Sequence, residues 1–217
     1  MGDPSQIVVG VARAAATGLQ LLGTSVVVSQ NHLVTALHVV GADPSNLVAF
    51  MPRTQTVNEY QDTTDLRANS VALSVAAVDT FRDLCLLRLP DNAVASPGYT
   101  IGSADDAPTG MGVVTYGYPH ANHGRYVLTA QTSTVGARVL IANGPLKSKH
   151  LVLNIQTRPG QSGSPVFLVN TPQLVGLVIG SYAPDGGGGI MLGDVDPATL
   201  HQTTHAISAE YVRAMLA

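Results

Sequence analysis

The segment from Pro159 to Pro165, which reads Pro-Gly-Gln-Ser-Gly-Ser-Pro, constrains this chain more than any other. Glycine adopts backbone angles that other residues avoid, and proline fixes its own. We therefore expect a tight turn that exposes the hydroxyl of Ser162, with the N–H groups of Gly160 and Ser162 converging where negative charge would develop. An ordinary loop rich in Gly, Ser and Pro is the alternative, and this segment alone does not decide between the two.

The composition favours a globular chain of short strands. Hydrophobic residues make up 45% of the 217 residues and charged residues 12%, so intrinsic disorder is not expected. The 22 Gly and 13 Pro separate segments rich in Val, Thr and Leu, as in strands joined by turns. A net charge of −3 without a basic run gives no indication of a nucleic-acid partner. No apolar run reaches the roughly 18 residues that a membrane span needs.

Cysteine usage and the N-terminus bear on the compartment. Cys85 is the only cysteine, so an internal disulfide is excluded. The first residues lack the basic segment and apolar core of a signal peptide. Together these features predict a cytoplasmic location.

Hydrophobic patterning predicts strands along nearly the whole chain. We expect them at residues 7–12, 24–29, 33–36, 47–51, 71–78, 84–89, 112–117, 126–139, 151–155, 166–169, 174–180 and 206–207. Residues 186–189, all glycine, predict a mobile loop. Residues 209–216 predict a final helix capped by Ser208. Residues 93–108 are rich in Pro, Gly and Asp and are the best candidate for a linker between two lobes.

Three polar residues stand at the ends of predicted strands and supply complementary chemistry. A serine hydroxyl is a poor nucleophile unless a general base takes its proton, and that base needs an orienting group. His38, Asp83 and Ser162 provide these types in the order His, Asp, Ser. Taken singly, His38 is explained as a packed or surface histidine and Asp83 as a turn cap.

In this chain order, and in the motifs around it, the chain resembles trypsin-like serine peptidases of the chymotrypsin clan, and most of all the bacterial HtrA-type domains. The motifs that carry the resemblance are Gly23-Thr24-Ser25, Thr35-Ala36-Leu37-His38, Asp83-Leu84-Cys85-Leu86-Leu87, Gly117-Tyr118-Pro119, Gly160-Gln161-Ser162-Gly163-Ser164-Pro165, Val175-Gly176-Leu177-Val178 and Ala206-Ile207-Ser208-Ala209. The resemblance implies an all-β fold of two Greek-key six-stranded barrels with a short C-terminal helix. Residues 1–92 would form the barrel with His38 and Asp83, residues 93–108 the linker, and residues 109–217 the barrel with Ser162.

The resemblance also implies an activity. Ser162 would attack a peptide carbonyl, His38 would carry the proton, and Asp83 would hold the imidazole tautomer. Gly160 and Ser162 would form the oxyanion hole. The implied substrate is a polypeptide, which would contact Gln156, Thr157, Gly180 and Ser181, and no cofactor or metal is implied.

The chain departs from the family it resembles in three respects. Gln161 stands where digestive relatives have an aspartate that pairs with a new N-terminus, so we expect no activation by cleavage. Gln156 and Thr157 are not acidic, and residues 177–179 lack the histidine of glutamyl-specific relatives, which together favour a neutral or apolar residue before the cut. Ile179 replaces a serine that often supports the catalytic aspartate, so Asp83 is expected to be less well solvated.

Pairs of histidines and of aspartates elsewhere in the chain resemble metal ligands. His201 and His205 imitate a zinc-peptidase pair, but Gln202 cannot serve as the base, and the threonines between them favour a strand. The His120 and His123 pair, and likewise the Asp62 and Asp65 pair, is more simply part of a solvated loop.

Two alternative functions remain open. The chain would then be either a peptidase-fold binding module, inactive or activated by a regulatory protein partner, or a polyprotein-processing domain. The sequence does not indicate an oligomeric state.

Overall fold

The computed structural model describes residues 2–16, 18–65, 67–182 and 203–217, and it is built of two barrel-like β-sheets. The first sheet contains β1 (Val8–Ala15), β2 (Gly18–Val27), β3 (His32–Ala36), β4 (Leu47–Pro52), β5 (Ala68–Ala72), β6 (Ser74–Asp79) and β7 (Leu84–Arg88). The second contains β8 (Thr100–Ile101), β9 (Gly112–Gly117), β10 (Thr129–Asn143), β11 (Leu146–Leu153), β12 (Pro165–Leu168), β13 (Gln173–Tyr182) and β14 (Thr203–Ser208). The helices are α1 (Pro4–Ile7), α2 (Leu37–Val40) and α3 (Glu210–Met215), with 3-10 turns at Ala104–Asp106 and Ala121–His123. Within the described residues, no helix has the length and apolar character that crossing a bilayer requires.

The register of the first sheet brings two distant segments of the chain together. Its strand order is β5-β4-β1-β2-β3-β7-β6. β3 and β7 are antiparallel, and Ala36 at the end of β3 pairs with Leu84 at the start of β7. The residue before Leu84 therefore lies beside the residues that follow Ala36. Sheet pairing thus places Asp83 next to the helix that contains His38.

The second sheet closes on itself. Its order is β12-β9-β10-β11-β14-β13, and β12 also pairs with β13, which completes a ring of six strands. β8 adds to β13 as a parallel seventh strand. The turn that contains Ser162 enters β12, and β13 holds it, because Gly163 N–H donates to Val178 O at 2.7 Å and Val178 N–H donates to Ser164 O at 2.9 Å.

Contacts between the two sheets are apolar and polar. Leu174, Leu177 and Ile207 of the second sheet pack into the same buried cluster as the core of the first. Gln61, from the loop between β4 and β5, reaches Leu128 just before β10. Its Nε2 donates to Leu128 O at 2.8 Å, and Leu128 N–H donates to its Oε1 at 2.7 Å. The side chain of Gln61 thus satisfies both backbone groups of a buried residue in the other lobe.

The predicted all-β fold with two barrel-like sheets and a short C-terminal helix is confirmed. The predicted strand at 71–78 is wrong in detail, since it is two strands that divide at Leu73: β5 pairs with β4, to which Leu73 N–H still donates at Leu47 O, and β6 pairs with β7. The first sheet therefore has seven strands and forms a half-barrel. Ser208 does not cap the last helix: Ala209 is its N-cap, and Ser208 Oγ accepts a hydrogen bond from Ala104 N–H at 2.8 Å.

Two further expectations concern segments between elements. Part of the predicted linker at 93–108 already belongs to the second sheet, because β8 pairs with β13 and the 3-10 turn after it is closed by a capping box between Ser103 and Asp106. The division into lobes at 92 and 109 stays a prediction. The glycine run at 186–189 lies outside the described residues.

Candidate active site

His38 and Asp83 are joined by two hydrogen bonds. The N–H of His38 donates to Asp83 Oδ1 at 2.9 Å, and His38 Nδ1 lies 2.6 Å from Asp83 Oδ2. A third bond joins the backbones, where Leu37 N–H donates to Asp83 O at 2.9 Å. With Nδ1 engaged by the carboxylate, the second ring nitrogen, Nε2, is the one left for proton transfer. Both carboxylate oxygens are used, which fixes the imidazole in one orientation.

Asp83 adopts a backbone conformation that few side chains tolerate. Its φ is +55°, in the left-handed region, where aspartate and asparagine are enriched among residues other than glycine. The Asp83 side chain is 33% exposed and that of His38 49% exposed. Water therefore reaches part of the Asp83 carboxylate, and the expectation that Ile179 leaves it less well solvated stays a prediction.

Ser162 lies at the junction of the two lobes. Thr24 N–H in β2 donates to Ser162 O at 2.9 Å. Gly23, the preceding residue, is covered closely, since a Cβ there would stand 2.7 Å from a Val39 methyl and 3.1 Å from Ser162 O. Val39 follows His38, so the absence of a side chain at Gly23 lets the histidine helix and the serine turn approach each other. Within the described part of the chain, no hydrogen bond joins Ser162 Oγ to His38.

The amides of Gly160 and Ser162 have no acceptor within the described residues. Pro159 O accepts a hydrogen bond from His120 N–H at 2.7 Å. Because a trans peptide directs its N–H opposite to its carbonyl, the Gly160 N–H points away from the loop that contains His120. Thr24 Oγ1 donates to Gly160 O at 2.8 Å and holds the next peptide as well. Two donors are thus left unsatisfied in one turn, as anion binding requires.

Gln161 anchors the turn from below. It is fully buried, and its Oε1 accepts a hydrogen bond from Arg158 N–H at 2.7 Å while its Nε2 donates to Gln131 Oε1 at 2.6 Å. These amide contacts occupy the position where digestive relatives have an ion pair. Ile7, near the N-terminus, is 1% exposed and belongs to the buried cluster of the first sheet.

Two of the residues predicted to contact substrate, Thr157 and Ser181, adjoin a threonine that the sequence did not indicate as a site residue. Thr204 is buried, and its Oγ1 donates to Ile155 O at 2.7 Å and accepts from Thr157 N–H at 3.1 Å. Gly180 and Ser181 of β13 pair with His205 and Thr204 of β14. A Cβ at Gly180 would meet no atom of the described residues within 4 Å. Thr157 and Ser181 thus lie beside Thr204, and Gln156 and Gly180 are their neighbours in the chain.

The sequence indicates a strand preference for the Thr203-Thr204 pair, but the strand that it predicts begins only at residue 206. Strand pairing across β13 and β14 was the missing information.

Burial shifts the pKa of three further titratable groups. Burial raises the pKa of the Cys85 thiol to about 11, which agrees with a small core residue. Burial and then the neighbouring His205 lower the pKa of His150 to about 4. Burial also raises the pKa of Tyr118, whose hydroxyl donates to Val8 O at 3.2 Å.

The histidine and aspartate pairs that imitate metal ligands have ordinary places in the fold. No group of three or more His, Cys, Asp or Glu side chains within the described ranges is arranged to hold a metal ion. His201 and Gln202 lie outside those ranges, and His205 belongs to a strand. His120 and His123 have ring centroids 6.3 Å apart on a 3-10 turn. Asp65 forms a 2.7 Å ion pair with Arg67.

Comparisons with known proteins agree with this architecture. A family model described as a trypsin-like peptidase domain matches residues 23–177. The chain is similar to the MamO protease domain of Magnetospirillum magneticum in its apo form, at 16% identity and a TM-score of 0.68, over 97% of this chain and 95% of that one. It is similar to the Rv3671c protease of M. tuberculosis in its active form, at 20% identity and a TM-score of 0.66, over 98% and 80% of the two chains. The inactive form of Rv3671c gives 20% identity and a TM-score of 0.63, over 98% and 88%. No curated protein sequence matches the chain significantly.

Proposed function

Because the chain belongs to the family of trypsin-like peptidase domains, we propose that it is a serine endopeptidase with His38, Asp83 and Ser162 as its triad. The observation that carries the proposal is the pair of hydrogen bonds from His38 to Asp83, at 2.9 Å from its N–H and 2.6 Å from Nδ1. A surface or packed histidine has no need of both carboxylate oxygens of an aspartate in a strained turn. This arrangement is what a general base requires when Ser162 is the nucleophile.

The mechanism follows from the groups around the cleft. His38 Nε2 takes the proton from Ser162 Oγ as the oxygen attacks the substrate carbonyl, and the acyl-enzyme forms when His38 returns the proton to the leaving amine. The Gly160 and Ser162 amides bind the oxyanion, each worth about 3–4 kcal/mol in comparable enzymes. Water then hydrolyses the acyl-enzyme with His38 again as the base.

The residue before the scissile bond is neutral or apolar in this proposal. Thr157 and Thr204 share their hydroxyl and amide groups with each other and with Ile155, so these described residues present no formal charge to a substrate side chain. A charged substrate side chain would be desolvated at this place without a partner, which costs several kcal/mol. Cleavage of a peptide library only after Arg, or only after Glu, would contradict this preference.

A fluorophosphonate probe tests the activity directly. We expect covalent labelling of the protein, complete loss in Ser162→Ala, and unchanged labelling in Ser164→Ala. Ser164 is the matched control because its hydroxyl lies in the same turn, fully buried and without a partner among the described residues. Labelling that persists in Ser162→Ala would overturn the assignment of the nucleophile.

One observation favours a second candidate, a peptidase-fold module that turns over only when a partner binds. Ser162 Oγ and His38 are not hydrogen-bonded in the described structure, and His38 is half exposed. Catalytic hydrogen bonds of free enzymes often tighten only on substrate binding, so the observation does not exclude constitutive activity. No labelling of the isolated chain, with labelling restored by a cell extract, would select the partner-dependent form.

A further inference from the structure

The turn from Asp79 to Asp83 is held rigidly by its own first residue. Asp79 Oδ1 accepts hydrogen bonds from the N–H groups of Phe81 and Arg82, both at 3.1 Å. Its Oδ2 binds Arg82 Nη1 at 2.7 Å, and the two side chains are only 18% and 23% exposed. The turn ends at Asp83 in the left-handed conformation, which the surrounding contacts must maintain.

The same turn is also held by the other lobe. The guanidinium of Arg82 lies over the ring of Tyr211 in α3, 4.2 Å from its centroid. The Tyr211 hydroxyl accepts a hydrogen bond from Lys149 N–H at 3.0 Å, which fixes the ring against β11. Asn143, at the end of β10, donates through Nδ2 to Phe81 O at 2.8 Å. Elements of the second lobe therefore cover the turn that ends at Asp83.

Arg82 depends on both contacts. Its Nε is buried and has no hydrogen-bond partner among the described residues. Ion pairing with Asp79 engages one edge of the guanidinium, and the face rests on an aromatic ring, where a desolvated cation is attracted by about 0.5–2 kcal/mol. Loss of the ring would leave a buried cation with one partner, so Arg82 would move toward solvent and the turn with it.

From these contacts we propose that Arg82 and Tyr211 are positioning residues for Asp83, and through it for His38. The inference rests on the proposed function, since it concerns the orientation of the base in that triad. Both carboxylate oxygens of Asp83 are already bound by His38, and Ile179 offers no hydroxyl. Asp83 is oriented instead through its backbone, by the turn that Arg82 anchors to the C-terminal helix.

The test compares Tyr211→Leu with Tyr211→Phe. The phenylalanine variant keeps the aromatic face and should label with a fluorophosphonate at close to the wild-type rate. The leucine variant removes the face, and the labelling rate constant should fall between about twofold and thirtyfold, the range that a cation–π contact of about 0.5–2 kcal/mol spans. Arg213→Met is the control on the same helix, because Arg213 bonds to Ile101 O and does not touch the turn, so its rate should be unchanged.

Proton NMR reads the positioning without catalysis. The Nδ1 proton of His38, held by Asp83, should give a far-downfield resonance in the wild type and Tyr211→Phe and should broaden or vanish in Tyr211→Leu. If Tyr211→Leu does not fold, Arg82→Lys replaces it, since lysine keeps the charge for Asp79 but loses the planar stack. It should show the same broadening.

Two results would overturn the positioning role and one would separate it from the proposed function. A folded Tyr211→Leu with wild-type labelling and an unchanged resonance contradicts it, and so does an unchanged resonance in Arg82→Lys. A wild type that is never labelled, but whose resonance still disappears in Tyr211→Leu, supports the positioning and overturns the peptidase activity.

Discussion

Substitution of Gly160 by alanine is the most direct test of the proposed oxyanion hole, which the N–H groups of Gly160 and Ser162 would form. Gly160 has φ of +93°, and a Cβ there would stand 2.5 Å from Tyr118 O and 2.8 Å from Ala121 N. Both distances are below any that a real Cβ adopts, and both neighbours are backbone atoms of a buried loop that cannot rotate away. The peptide that presents the Gly160 N–H must therefore shift.

The magnitude has two parts. The backbone conformation alone costs alanine about 1–2 kcal/mol, which lowers the urea midpoint by roughly 0.5 M if the unfolding slope is about 2–3 kcal/mol/M. Displacement of one oxyanion donor adds a loss of about 100- to 1,000-fold in the acylation rate. Gly110→Ala isolates the first part, because Gly110 has φ of +87° and open space around its Cβ position.

The assay is fluorophosphonate labelling of Ser162 under pseudo-first-order conditions, together with urea unfolding of each variant. We expect Gly110→Ala to lose stability and keep its labelling rate, and Gly160→Ala to lose both. A folded Gly160→Ala that labels as fast as Gly110→Ala would refute the assignment of this amide to the oxyanion hole.

Three further predictions follow from buried groups. Cys85 should resist alkylation by iodoacetamide at pH 8 in the native protein and react on unfolding, because burial raises its pKa to about 11. The native state holds the pKa of His150 at about 4, below the value of about 6.5 of an unfolded chain. The unfolded state therefore binds more protons between these values, so urea midpoints should fall as the pH drops from about 6.5 to 4, and less so in His150→Gln. Gln61→Ala should lower the unfolding free energy by about 1–3 kcal/mol, measured by urea unfolding, because it leaves both backbone groups of buried Leu128 without their partner.

Local patterns predicted the strands well where residues alternate or where β-branched runs stand between turns. They failed at Leu73, because the change from pairing with β4 to pairing with β7 depends on distant strands that no local pattern encodes. They failed at Ser208 for the same reason, since its hydroxyl bonds to Ala104 N–H, a residue 104 positions away.

The residues of the candidate site could likewise be predicted only where the local sequence restricts the backbone. The Ser162 turn could be anticipated because glycine and proline restrict the backbone locally. The meeting of His38 with Asp83 depends on the Ala36–Leu84 register, and only the resemblance to a family indicated it beforehand. Thr204 and Tyr211 went unnoticed, because their importance comes from neighbours on other strands or in the other lobe.

The amide pair between Gln161 and Gln131 has a consequence for how the protein matures. Relatives that form an ion pair with a newly generated amino terminus need proteolytic cleavage first. That ion pair is lost at alkaline pH, because an α-amino group deprotonates near pH 8. A carboxamide neither awaits a cut nor titrates. The turn that contains Ser162 should thus be ordered when the chain finishes folding, and it should remain so in mildly basic solution.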